Sequence, residues 1–205
     1  MVTFQGGRDT NPPPNHDKAR QKLWELCPDA QHAVEVGVWL PAFCHVSKFI
    51  DAGVRVQLVE PQPEVAKELD KKWGHLDNVT IHRVAVAAEA GEVTMFRPHP
   101  LPTAHLQGSD PPSKHEGRDG VHRITVPAIT FDTIDDGTID VLSCDTEGSD
   151  WHVISKLKSR PTVIAVEMHH SRWRNKHHDE IIRWMEDNSY LNYGVIGGDD
   201  IYVKA

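Results

Sequence analysis

From residue 32 onward, short apolar runs alternate with longer stretches whose apolar positions recur at helical spacing. His32 to Val38, Val54 to Glu60 (VRVQLVE), Val79 to Val86, Ile139 to Asp145 and Thr162 to Met168 read as strands of the buried type. Ala42 to Ala52 is predicted as a helix stopped by Gly53, Pro63 to Trp73 as one stopped by Gly74, and Asp150 to Leu157 as a third. Asp179 to Asn188 is predicted as the last helix, with Ile181, Ile182, Trp184 and Met185 on its apolar side. Ahead of the first strand, Asp17 to Cys27 places Leu23, Trp24, Leu26 and Cys27 in helical register and ends at Pro28. Strands alternating with helices predict an α/β fold around a mainly parallel sheet.

The chain end breaks this rhythm. Tyr190 to Ile196 and Ile201 to Lys204 flank Gly197-Gly198-Asp199-Asp200, a hairpin signal, so the last pair is expected to be antiparallel. Arg97 to Arg123 is rich in Pro, His, Gly and Ser and is expected to be a long loop, a lid or a binding segment. The runs on either side of it, GEVTMF and HRITVPAITF, are expected to pair with each other. Residues 1–16 are polar and Pro-rich and read as a flexible arm, leaving 17–205 as a single domain.

Charge and cysteine content narrow the function classes. A formal net charge of -8 argues against a general nucleic-acid coat, which needs clustered cations. Cys27, Cys44 and Cys144 are far apart and in no metal-ligand spacing, which fits a reducing cytoplasm and no disulfide framework. The N-terminus lacks the apolar core of a signal peptide, and no apolar run approaches the ~20 residues of a membrane helix.

Chemistry concentrates where the strands end. In an open parallel sheet, ligands bind beyond the C-terminal strand tips. Gly37 stands at such a tip, but the GxGxxG turn that brings a backbone onto a pyrophosphate is absent: Val38, Trp39, Leu40 and Pro41 follow. NAD and FAD are poor candidates, and no GxxxxGK[ST] phosphate loop exists. A nucleoside without a pyrophosphate, such as S-adenosylmethionine (SAM), asks less of the turn. Pro41 suits the first turn of a helix, where its missing N–H is not needed, though it removes one amide from the ligand's reach. Glu60 ends the next strand, where a carboxylate can accept from both ribose hydroxyls; alone it reads equally well as a surface acid before a turn. IDVLSCDTEGSDW then brings Asp145 and Glu147 to the end of a central strand, with Ser149 or Asp150 placed to cap the next helix.

These segments resemble the FkbM-type SAM-dependent methyltransferases, of the class I Rossmann-like group. The resemblance rests on VEVG at 34–37, VEPQP at 59–63, NVTIHRVAVAAEAGEVTMF at 78–96, ITFDTI at 129–134, IDVLSCDTEGSDWHVI at 139–154 and PTVIAVEM at 161–168, all in the family's order. It implies a seven-stranded sheet with a reversed last strand, SAM as methyl donor, and O-methylation of a hydroxyl on a saccharide or natural product. It places Glu35 and Gly37 at the methionine part, Glu60 at the ribose, Arg83 to Ala85 near the adenine, and Asp145 and Glu147 beside the reacting centre. The family usually carries a small residue, Asn and a second glycine after the first strand, where this chain has Val38, Trp39 and Pro41.

Fourteen histidines invite a metal, yet no pair has HExxH spacing, and solvated loop histidines are the default reading. His169, leaving the sheet at the ligand end, is the best histidine candidate for an acceptor-side base, beside Asp145 and Glu147. SRWRNKHH at 171–178 mixes cations with an aromatic and reads first as a solvated loop, second as an anion- or ring-binding segment. Two rival readings stand beside the enzyme: a SAM- or nucleoside-binding module without catalysis, and a nucleic-acid methyltransferase using the basic stretch.

Overall fold

The protein is described by a computed structural model covering residues 14–98, 105–106, 121–168 and 174–205. Its elements are α1 (Pro14–Leu26), β1 (His32–Val36), α2 (Ser47–Asp51), β2 (Arg55–Val59), α3 (Pro63–Trp73), β3 (Val79–His82), β4 (Ala85–Val86), β5 (Gly91–Pro98), β6 (His105–Leu106), β7 (Val121–Ile129), β8 (Val141–Cys144), α4 (Trp151–Ile154), β9 (Val163–Val166), α5 (His178–Asp187), β10 (Tyr190–Ile196) and β11 (Asp199–Lys204).

The large sheet has the order β10-β11-β9-β8-β1-β2-β3. β9, β8, β1, β2 and β3 are mutually parallel, while β11 runs antiparallel to both β9 and β10. The expected α/β fold, with its mainly parallel sheet and antiparallel C-terminal hairpin, is what the chain forms. Both faces of the sheet are covered, which explains the unbroken apolar runs. Val34, Val36, Leu142, Cys144 and Ile164 pack with Ile181 and Met185 of α5 on one face. Ala33, Leu58, Val141 and Ala165 pack with Leu23 of α1 and Phe49 of α2 on the other.

Three expectations are corrected. The stretch Val79 to Val86 is two strands, because the chain leaves the large sheet after His82 and Ala85–Val86 joins a second sheet of order β4-β7-β5-β6. Within it β5 and β7 pair antiparallel from Gly91↔Ala128 to Pro98↔Val121, as the two flanking runs predict. The helix expected over 42–52 is only a 3-10 turn at Pro41–Phe43 followed by α2. The helix expected over 150–157 is regular only at α4. The N-terminal helix starts at Pro14, and the expected arm otherwise falls on residues outside those described, as does most of the expected 97–123 loop. Among the described residues no helix is long and apolar enough to cross a membrane.

Candidate active site

The hydrogen-bond ladder of the large sheet runs one residue past its strands. Gly37 N–H donates to Val59 O (2.9 Å), Asp145 N–H to Val36 O (3.0 Å), Glu60 N–H to His82 O (3.0 Å) and Glu167 N–H to Cys144 O (3.0 Å). The ends of five adjacent strands, β9-β8-β1-β2-β3, are thereby held side by side. At Gly37 the fit admits no side chain: φ is +85°, and an added Cβ would lie 1.7 Å from the Asp145 carbonyl oxygen.

Beyond these tips lies an open cleft, lined by Gly37, Trp39, Glu60, Ala85, Asp145 and Glu147 among others. Met95 of the second sheet also reaches it. Gly37, Glu60 and Asp145 thus converge on one hollow, with Trp39 in its wall rather than filling it.

Glu60 is 2% exposed. Its Oε2 accepts from Trp39 N–H (3.0 Å) and its Oε1 from Gln62 N–H (2.8 Å), so each oxygen keeps a lone pair for a further donor. Burial pushes its carboxyl up to about 7, against the pull of those two amides. The Trp39 bond is made from a strained backbone, with φ at +56°.

Glu147 also has a positive φ, 56°, and is pushed up to about 7 by burial and then by Asp150. Asp150 itself is fully buried and raised to about 6 by desolvation and by Asp145. The expectation that it caps α4 is corrected: its carboxylate makes no cap bond. It accepts instead from Thr146 N–H (3.0 Å), Thr146 Oγ1 (2.9 Å) and Asn175 Nδ2 (2.8 Å), and so braces the turn that carries Asp145 and Glu147.

Glu167 also stands at a strand tip. It closes β9 as Asp145 closes β8. Burial, followed by the neighbouring Asp145 carboxylate and a hydrogen bond with it, pushes the Glu167 carboxyl far up.

Two expected ligand residues are not brought to the cleft. Glu35 alternates to the opposite face of β1, where it is fully buried and its Oε2 accepts from Val46 N–H (3.0 Å) and Cys44 Sγ (3.1 Å). It supports the loop after β1 from behind. Arg83 sits just past the end of β3 and pairs with Asp70 of α3 at 2.5 Å, away from the cleft, while Ala85 does line it. His169 lies outside the described residues, as does the basic stretch up to Trp173; Arg174 pairs with Asp179. Among the described residues no group of three or more His, Cys, Asp or Glu is arranged to hold a metal ion.

The methyltransferase FkbM domain matches residues 30–191. The chain belongs to the FkbM methyltransferase family. It is a SAM-dependent methyltransferase. Solved structures are similar to this chain. A SAM-dependent O-methyltransferase from Thermotoga maritima superposes with a TM-score of 0.51 at 14% identity, covering 97% of this chain and 68% of that one. A SAM-dependent methyltransferase from Aquifex aeolicus gives 0.48 at 13% identity, covering 95% and 92%. No curated protein matches the chain significantly.

The cleft of this FkbM methyltransferase fits its cofactor. Glu60 offers two acceptor oxygens suited to a vicinal diol. Glu60, Asp145 and Glu147 line the walls, with no Lys or Arg among the described lining residues, which suits a cation. Trp39 Nε1 and Gln62 Oε1 are buried wall atoms with no protein partner among the described residues, the sign of a place where bonding is completed from outside the chain.

Proposed function

We propose that this methyltransferase acts on a hydroxyl of a small acceptor, a saccharide or natural product, and that the three strand tips divide the work. Glu60 holds the ribose hydroxyls, Ala85 lies against the adenine, and Gly37 lets the methionine tail pass close to the backbone. Asp145 receives the ammonium group beside the reacting centre. The observation that carries the reading is that a half-buried carboxyl raised to about 7, Glu147, stands in the same cleft as Asp145 and Glu60.

When bound, SAM supplies a methyl group activated by its sulfonium, and the displacement is helped chiefly by positioning. A hydroxyl acceptor must also lose a proton. Glu147, with its carboxyl raised to about 7, is matched to take it at neutral pH. The Asp145–Glu167 pair holds the adjacent wall in one arrangement.

Methyl release from SAM in the presence of phenolic, saccharide and polyol acceptors tests the reaction class; transfer confined to amines or carbon acids would contradict it. Asp145→Asn is expected to lower turnover about 100-fold, a typical loss for a misplaced group at a reacting centre. A variant with unchanged turnover would remove Asp145 from that centre. Affinity for SAM should also follow pH. The diol and the sulfonium both favour ionised Glu60, whose free-enzyme carboxyl titrates at about 7. Calorimetry should therefore show affinity rising about tenfold between pH 6 and pH 8 and levelling above that. The rise should shrink in Glu60→Gln, the remainder coming from Glu147, whose carboxyl is also held at about 7 in the same cleft.

A further inference from the structure

The loop after β1 carries Val38, Trp39, Leu40 and Pro41 with no second glycine, yet it is tightly held. Its fastening comes from α1, a helix that precedes the matched family segment 30–191. Arg20 reaches across from α1 and donates from Nε to Cys44 O (2.9 Å) and from Nη2 to Ala42 O (2.6 Å). Its third donor group, Nη1, bonds Asp17 at 2.9 Å, and the side chain is only 17% exposed. One helical turn earlier, on the same face of α1, His16 meets the same loop. Its Nδ1 lies 3.1 Å from His45 Nε2, and its ring stands edge-on to Phe43 at 4.9 Å. His45 in turn bonds Ser143 Oγ at 3.1 Å, anchoring the loop to β8. Phe43 packs on Trp39 with ring centroids 4.1 Å apart, and Trp39 lines the cleft and donates its backbone N–H to Glu60. An unbroken series of contacts therefore runs from α1 through Ala42–His45 to Trp39 and the cofactor cleft.

We propose that α1 is a working part of the cofactor site, with Arg20 and His16 as positioning residues that hold the loop Trp39–His45 in its ligand-binding shape. A guanidinium is suited to this because its planar fork can satisfy two carbonyls at once. A lysine keeps the charge but lacks that fork. The inference rests on the reading that the cleft binds SAM with its methionine tail over the loop.

The test uses the full chain and two probes, S-adenosylhomocysteine and 5′-methylthioadenosine, which share the adenosine but differ in the amino-acid tail. In Arg20→Ala, affinity for S-adenosylhomocysteine should fall roughly tenfold, as expected for two lost charge-assisted bonds offset by partial relaxation. Affinity for 5′-methylthioadenosine should fall less, within about threefold of the parent, since the loop reaches the ribose only through the Trp39 N–H to Glu60 bond while the strand tips that hold adenosine remain. Arg20→Lys should fall between, and free guanidinium ion at millimolar concentration should restore part of the loss in Arg20→Ala. If the alanine variant does not fold, the lysine variant with the same two probes decides. Equal losses on both probes, or no loss on either, overturn the positioning role while leaving SAM binding intact. A parent enzyme that binds neither probe overturns the SAM reading and this inference together.

Discussion

Replacing Gly37 with alanine is expected to have the largest effect of any single-methyl change in the protein. The new Cβ would stand 1.7 Å from the Asp145 carbonyl oxygen and 2.7 Å from its carbonyl carbon, and the backbone φ of +85° is itself unfavourable for alanine. Neither neighbour is a flexible side chain that can swing aside. The tips of β1 and β8 must part, and that breaks the bond from Asp145 N–H to Val36 O. The cost is about 3–5 kcal/mol, the range reached when a core position is overfilled and strained together. For a domain of this size that lowers the melting temperature by roughly 10 °C. Affinity for SAM should be lost at the same time, because the separated tips are the floor of the cleft. Gly53→Ala is the matched control. Its φ is +79° but nothing lies within 4 Å of the added methyl, so only the backbone term of about 1 kcal/mol remains. Similar melting temperatures for the two variants would show that the close approach at Gly37 has been misjudged.

Glu60→Ala should weaken SAM binding by roughly 100-fold or more while leaving the sheet assembled. The carboxylate accepts the backbone N–H groups of Trp39 and Gln62, and both donors would be left buried without an acceptor. The loss therefore has two parts: the ribose contact, and the fixed relation between the loop after β1 and the tip of β2. Calorimetry separates them when Glu60→Gln is measured alongside. The amide keeps one acceptor oxygen and places an NH₂ against the other donor, so it should recover only part of the affinity. Unchanged affinity for SAM in Glu60→Ala would remove the ribose assignment.

What could be read from the chain beforehand follows from the physics of parallel strands. Strands buried on both faces appear as continuous apolar runs, so their ends, and the residues Gly37, Glu60 and Asp145 just beyond them, were visible. The same burial hid which face each side chain takes. Glu35 could not be assigned to the loop side of β1 because its neighbours Val34 and Val36 are as buried as it is. Arg83 was misplaced because the strand it seemed to continue ends at His82, where the chain crosses to the second sheet. The β4 strand at that crossing has only two residues, too few to show a period. The shape of residues 38–46 was out of reach for a different reason. It depends on Arg20, Glu35 and Glu60, and each partner is distant in sequence or on another element. Asp150 read as a helix cap because local spacing favours that role, whereas its bond to Asn175 comes from a part of the chain no local pattern connects to it.

The central claim is that the tips of β1, β2 and β8 form one adenosyl site. A crystal structure of the enzyme with S-adenosylhomocysteine tests it most directly. The account predicts both ribose hydroxyls within hydrogen-bond distance of the Glu60 carboxylate, the amino-acid tail over Gly37, and the sulfur on the Asp145 side of the cleft. An adenosyl group bound elsewhere, or a cleft closed by the Trp39 indole with the ligand excluded, would contradict it.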